Sequence, residues 1–130
     1  MRKVIAAGWI SLLSPIWLTA CIQDSGSEGA TTPGYVVANF RITDAEAYAA
    51  YPPLVRPMLA AHGAEILAAD GETEVIEGRA EHRTVIIRFP SKDAARAFYD
   101  SPEYREIVHL RTDNSDGFLA LMEGVGAPDR

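Results

Sequence analysis

Tyr35-Val36-Val37-Ala38-Asn39-Phe40-Arg41-Ile42-Thr43-Asp44-Ala45-Glu46 is the stretch from which the rest of the chain can be ordered. Its first part alternates, with Val36, Ala38, Phe40 and Ile42 on one side and Tyr35, Val37, Asn39 and Arg41 on the other. A period of two belongs to a β-strand, whose successive side chains point to opposite faces. The strand then meets Thr43-Asp44-Ala45-Glu46, which has the form of a capping box: the Thr43 hydroxyl is placed to accept an amide of a first helical turn, and Glu46 to reach back. A strand thus hands over to a helix almost without a linker.

Downstream, Pro52 and Pro53 suit a fresh first turn better than a helix interior, so the helix is expected to break there and resume through Leu54, Val55, Met58 and Leu59. His62-Gly63 ends it, a basic ring in the last turn and a glycine just beyond. Residues 64–69 and 73–77 read as strands around a turn at Asp70-Gly71, and residues 83–89 form the most β-branched run in the chain. Pro90-Ser91 stops that run, and Ser91 with Asp93 opens a second helix to about Tyr99. Ser101-Pro102-Glu103 restarts it, with serine as cap, proline at the first helical position and an acid near the positive end of the helix dipole. Tyr104, Ile107, Val108 and Arg111 share one side of this last helix. Residues 113–117 read as a loop and 118–123 as a closing strand.

The order β, α, β, β, α, β, with one strand split in two, predicts an α+β domain, a ferredoxin-like antiparallel sheet with both helices on one face. Helices cover one set of alternating residues, yet the other set is also partly apolar: Val37 or Val36, Ile86 or Ile87, and Leu119 with Leu121. An open apolar face of that size marks an interface, so a homodimer packed sheet to sheet is expected.

Upstream of this domain, Arg2 and Lys3 precede an apolar run broken by Gly8, Ser11, Ser14 and Pro15. That is the layout of a secretory signal, too short and too interrupted for a permanent span of a bilayer about 30 Å thick. It closes on Leu18-Thr19-Ala20-Cys21, which resembles the lipobox of bacterial lipoproteins and implies cleavage before Cys21 and acylation of its thiol. The chain therefore divides into a signal peptide (1–20), a lipidated Cys21 with a Ser, Gly and Thr-rich tether (21–34), one folded domain (35–125) and a short tail (126–130). Ile22 follows the cysteine where an aspartate would resemble an inner-membrane retention signal, so the outer membrane is favoured in a host with two. The expected address is the cell envelope, with the domain in the periplasm or at the cell surface.

A chain of 130 residues, 48% hydrophobic and 23% charged, has room for one core and can build it without metals or disulfides. Its net charge of −6, which becomes more negative once Arg2 and Lys3 leave, repels phosphate backbones and makes nucleic acid a poor partner. Cys21 is the only cysteine, so no internal disulfide forms.

Several pieces of the domain carry a likeness. They are Tyr35-Val36-Val37-Ala38, Thr43-Asp44 with Tyr48 and Tyr51, His62-Gly63-Ala64, Glu77-Gly78, and Arg83 entering a strand that ends Phe89-Pro90-Ser91. To these add Tyr99-Asp100-Ser101-Pro102-Glu103-Tyr104, Arg111 and Glu123-Gly124-Val125. Together they resemble the bacterial family known as domain of unknown function 1330, within the dimeric α/β-barrel superfamily. The Phe-Pro-Ser followed by Tyr-x-Ser-Pro-Glu-Tyr is the most specific part. Arg88 departs from the pattern where the family often has glutamate, and Ala64 where a second glycine is common. The resemblance implies the fold and a dimer; the superfamily includes cofactor-independent oxygenases, haem-degrading enzymes and simple binding proteins.

Chemistry is less plainly written. His62, His82 and His109 show no metal-ligand spacing, so neither a metal nor a cofactor is expected. His62 fits a helix end for electrostatic reasons and His82 a solvated turn. His109 is the acid/base candidate, on the last helix near Tyr104 and Arg111. Tyr48, Tyr51, Tyr99 and Tyr104 either line a cleft for a small organic ligand or form the edge of the core. Arg83 and Arg111 either receive a ligand carboxylate or pair with acids such as Glu77 or Glu103. Two functions follow: a small-molecule-binding or accessory domain, or a cofactor-free enzyme of the oxygenase or isomerase type. The enzyme needs His109, Tyr104 and Arg111 to meet in one pocket.

Overall fold

The computed structural model describes residues 31–126. The leader, Cys21, most of the tether and nearly all of the tail lie outside the described residues. Eight elements follow one another: β1 (Gly34–Ile42), α1 (Ala45–Tyr48), α2 (Tyr51–Ala61), β2 (Glu65–Asp70), β3 (Arg83–Phe89), α3 (Lys92–Asp100), α4 (Pro102–Thr112) and β4 (Ser115–Glu123). The strands make one sheet in the order β2-β3-β1-β4, antiparallel throughout. With two helical segments in each crossover, this is the ferredoxin-like βαββαβ fold.

Local chemistry explains most boundaries. Ser91 caps α3 by accepting the Ala94 amide at 3.0 Å, and Ser101 caps α4, where Pro102 stands at the first helical position. Gly63, at φ +67°, turns the chain out of α2 in a conformation that costs a residue with a Cβ.

Three boundaries differ from the sequence reading. The cap of the first helix is Asp44, whose carboxylate accepts the Ala47 amide at 3.0 Å. Thr43 is instead held by its own amide, which donates to the Asn114 carbonyl at 2.9 Å. Residues 73–77 form no strand: β2 pairs with β3 instead, and no described strand joins its outer edge. Asp70 accepts the Glu72 amide at 2.9 Å, the Thr73 amide reaches the His82 carbonyl at 2.8 Å, and the segment loops back. Asn39, only 6% exposed, pins that return: its Oδ1 takes the Glu81 amide at 2.7 Å and its Nδ2 gives to the Glu81 carbonyl at 3.0 Å. Finally, β4 begins at Ser115, opposite Ile42, and so absorbs most of the expected loop. Gly117, at φ +150°, permits this, since a Cβ there would collide with the Asn39 carbonyl and with Phe40.

Register corrects one further expectation. Leu121 stands opposite Val36 and Leu119 opposite Ala38, so both lie on the helix-covered face. The residues of β4 on the open face are Phe118, Ala120 and Met122, joined there by Tyr35, Val37 and Ile86. Ion pairs flank them, Arg41 to Asp116 at 2.8 Å and Arg88 to Glu65 at 2.8 Å.

The core lies under the helices, where Val36, Ala38, Phe40 and Phe89 meet Tyr48, Tyr51, Val55, Leu59, Ala95, Phe98 and Tyr104. α3 packs on β1, β3 and β4, whereas α2 is held mainly by α4 and stands off the sheet. β2 is exposed throughout and packs chiefly on β3. The helix layer therefore lifts away on the β2 side and leaves a space beneath α2.

Candidate functional site: a cleft between helices and sheet

That space is a cavity of about 430 Å³. Its floor is the covered face of the sheet, with Val36, Ala38, Phe40, Val85, Ile87, Phe89, Leu119 and Leu121. Its roof is one stripe each of α2, α3 and α4: Tyr51, Val55 and Leu59; Ala95, Phe98 and Tyr99; Tyr104 and Arg111. An apolar concavity with a few polar groups is the usual form of a small-molecule site.

The rings hold one another in place. Phe98 and Tyr104 lie 4.6 Å apart between ring centroids, Tyr99 and Tyr104 5.4 Å, and Tyr48 and Tyr51 5.7 Å. The Tyr51 and Tyr104 hydroxyls share one hydrogen bond of 3.1 Å, buried, in which either can be the donor. Whichever donates, the other hydroxyl retains a proton that it can give to a third group. Burial pushes the Tyr51 phenol well above its ordinary pKa, helped by the neighbouring Tyr104 hydroxyl. Tyr48 is raised as well, chiefly by burial, with Arg83 and then Arg111 acting in the opposite direction. Both phenols are thus neutral donors at physiological pH.

Four arginines line the cavity, Arg56, Arg83, Arg96 and Arg111, and no acidic residue does. Arg56 and Arg96 are exposed, while Arg83 and Arg111 are half-buried. The ion pairs among the described residues lie elsewhere, so neither Glu77 nor Glu103 neutralises Arg83 or Arg111. Arg111 has its Nε buried without a hydrogen-bond partner. Burial works against its charge, but the phenolic oxygens of Tyr104, and then of Tyr51 and Tyr99, outweigh it and raise the pKa. Arg111 is a permanent cation beside the Tyr104 hydroxyl in a largely apolar cleft.

Tyr51, Tyr99, Tyr104, Arg83 and Arg111, named from the sequence as ligand-binding candidates, all line this one cavity. His109 does not; it is exposed on α4. At roughly 100° per residue it lies about 140° around the helix from Tyr104, whereas Arg111 returns to the same stripe. The trio of His109, Tyr104 and Arg111 is therefore not assembled. His62 closes α2 and sets its ring edge-on to Phe98 at 5.4 Å, and His82 is exposed in the return loop. No group of three or more His, Cys, Asp or Glu side chains gathers among the described residues. Arg56 and Arg96 were missed by the sequence reading, although each flanks a recognisable stripe, Arg56 between Pro52 and Leu59 and Arg96 beside Ala95 and Tyr99.

The family model described as Domain of unknown function (DUF1330) matches residues 33–125. No curated protein matches the chain. Among solved structures, a protein of unknown function from Rhodopseudomonas palustris is 22% identical, with a TM-score of 0.61 over 74% of this chain and 85% of that one. The methylated form of that protein is 21% identical, with a TM-score of 0.62 over 76% of this chain and 85% of that one. At such identities the likeness concerns the fold alone. A cofactor-independent oxygenase from Streptomyces nogalater is 14% identical, with a TM-score of 0.48 over 77% of this chain and 100% of that one, too loose a match to bear on chemistry.

Proposed function

The chain belongs to the DUF1330 family, and on that premise we propose that its domain is a binding module that holds a small organic molecule in the cleft between helices and sheet. The module works as a homodimer joined through the open sheet face and is displayed in the cell envelope from an acylated Cys21. The observation that carries the binding role is the cavity of about 430 Å³, aromatic and aliphatic on most sides, with the half-buried Arg111 in its wall and no acidic residue beside it. The dimer is supported by Phe118, 55% exposed, and Met122, 46% exposed, on a face whose rims are ion-paired. The anchor is supported by Leu18-Thr19-Ala20-Cys21 at the end of an apolar leader.

An oxygenase- or isomerase-like enzyme is the competing reading. Its acid/base candidate, His109, stands on the solvent side of α4, which favours binding over catalysis.

Native mass spectrometry of the protein purified from its own host tests the proposal. Twice the subunit mass with a retained small molecule is the expected result; a ligand-free monomer at tens of micromolar would sink both the dimer and the binding role. Metabolic labelling with radioactive palmitate should mark the protein and not its Cys21→Ser variant, and an unlabelled protein, or equal label in the variant, would refute the lipid anchor.

A further inference from the structure

The cavity is graded from one end to the other. At the end where Phe40 pairs with Arg83, Tyr48 sits 5.9 Å from Phe40 and feels the charges of Arg83 and Arg111. Tyr51 and Tyr104 join their hydroxyls there, within the influence of Arg111. From Tyr51, α2 runs along the cavity to Leu59, about 12 Å away at 1.5 Å per residue. It ends where Gly63 approaches Pro90 and where Phe98 packs on Phe89 at 5.5 Å. The side chains met there, Leu59, Phe89 and Phe98, are hydrocarbon, while Arg56 and Arg96 reach the cavity from exposed positions on α2 and α3. The site is thus a slot with a cationic, hydroxyl-bearing head and an apolar tail.

We infer that the slot takes an organic monocarboxylate, its acid group seated on Arg111 and the Tyr51–Tyr104 hydroxyl pair and its hydrocarbon body lying along Val55, Leu59 and Phe89. The inference rests on the small-molecule reading above and gives it a charge and an orientation.

Charge comes first. A half-buried guanidinium with no acid beside it is electrostatically incomplete. A ligand anion supplies the countercharge. The setting sharpens this: a chain of net charge −6 lines its cleft with arginine and with no aspartate or glutamate.

Donor count then selects among anions. The two Nη groups of Arg111 offer parallel N–H bonds that match the two oxygens of a carboxylate. The tyrosine pair, having used one proton internally, has one left to give. These donors, with the Arg83 charge at the same end, suit the two oxygens of a carboxylate. A phosphate dianion has three acceptor oxygens, and no glycine-rich loop lies among the lining residues to meet the third. The apolar end then demands a hydrocarbon body rather than a small polar acid.

Calorimetric titration of the full-length protein in detergent tests this with three probes: 3-phenylpropanoate, its neutral amide 3-phenylpropanamide, and phenyl phosphate. The carboxylate should bind, with the amide and the phosphate each weaker by about tenfold or more. Arg111→Gln should bring the ratio of acid to amide affinity to within about twofold of one. Arg111→Lys, which keeps a charge but lacks the fork, should lose about fivefold or more for the acid and carries the test if the glutamine variant does not fold. Equal binding of acid and amide, tighter binding of phenyl phosphate, or an acid preference that survives in both variants would overturn the carboxylate while leaving a small-molecule site standing. Absence of binding by all three probes, together with a ligand-free mass spectrum, would overturn the carboxylate and the small-molecule reading alike.

Discussion

The two faces of the sheet are made by the same strands from similar residues, yet they live in different environments. Under the helices Phe89 is 1% exposed and Phe40 3%; on the open side Phe118 is 55% exposed. Alternation along each strand sorts side chains into two sets but assigns neither a neighbour. Cover is what separates them, and it is uneven even on the helix side, where α2 leans on α4 and leaves a slot above β1 and β3. A core and a binding site thus arise on one face, while the opposite face is largely apolar and is covered only where the return loop crosses Asn39 and Thr84.

The contrast can be attacked first where it is greatest. Phe89→Ala removes a fully enclosed ring and should cost about 3–5 kcal/mol of folding stability by chemical denaturation. A loss no larger than that of a surface substitution would mean that the covered face is not the core. Next, Tyr104→Phe leaves the Tyr51 hydroxyl buried without its partner and should cost about 1–3 kcal/mol. The double variant with Tyr51→Phe should lose clearly less than the sum of the two singles, since each removes the same bond.

Alkaline pH probes the same pair. The Tyr51 pKa in the folded state lies above the ordinary value of 10.0. Both states hold the proton below that value, so its effect on stability is nil there. As pH rises past it, the unfolded chain ionises first and gains. Stability should therefore fall by about 1.4 kcal/mol per pH unit above 10 from this group, and the fall should be shallower in Tyr51→Phe.

On the open face the expected pattern is inverted. Phe118→Asp should change the folding stability of the protomer by under about 1 kcal/mol yet abolish the dimer in analytical ultracentrifugation. A variant that remains dimeric would place the interface elsewhere. Smallest of all, Glu65→Ala breaks an exposed ion pair with Arg88 and should shift protomer stability by less than about 0.5 kcal/mol.

Legibility in the sequence followed the range of the interactions. β1, β3 and the break between α3 and α4 were readable because period-two alternation and serine caps act within a few residues. The assignment of 73–77 as a strand failed because the chain returns directly to β3, held by the Thr73 amide on His82 and by Asn39 on Glu81, and leaves the outer edge of β2 open. The faces of Leu119 and Leu121 failed because register depends on a partner distant in sequence, and a slip of one residue exchanges the faces. In the cleft, Tyr51, Tyr99, Tyr104, Arg83 and Arg111 could be named one by one from the sequence. That they share a single cavity while His109 faces away depends on how α4 is rotated.

Taken alone, the order of residues determined the alternation of strands and helices, most of the places where they start, the acidity of the whole and the form of the leader. Tertiary structure decided which face each strand of the sheet presents, that α2 would stand clear of the floor, and that Arg111 would be left without an acid beside it. The first set depends on contacts a turn or two apart, which the chain carries with it. The second depends on where distant segments come to rest, and that is fixed only when the sheet closes and the helices settle on it.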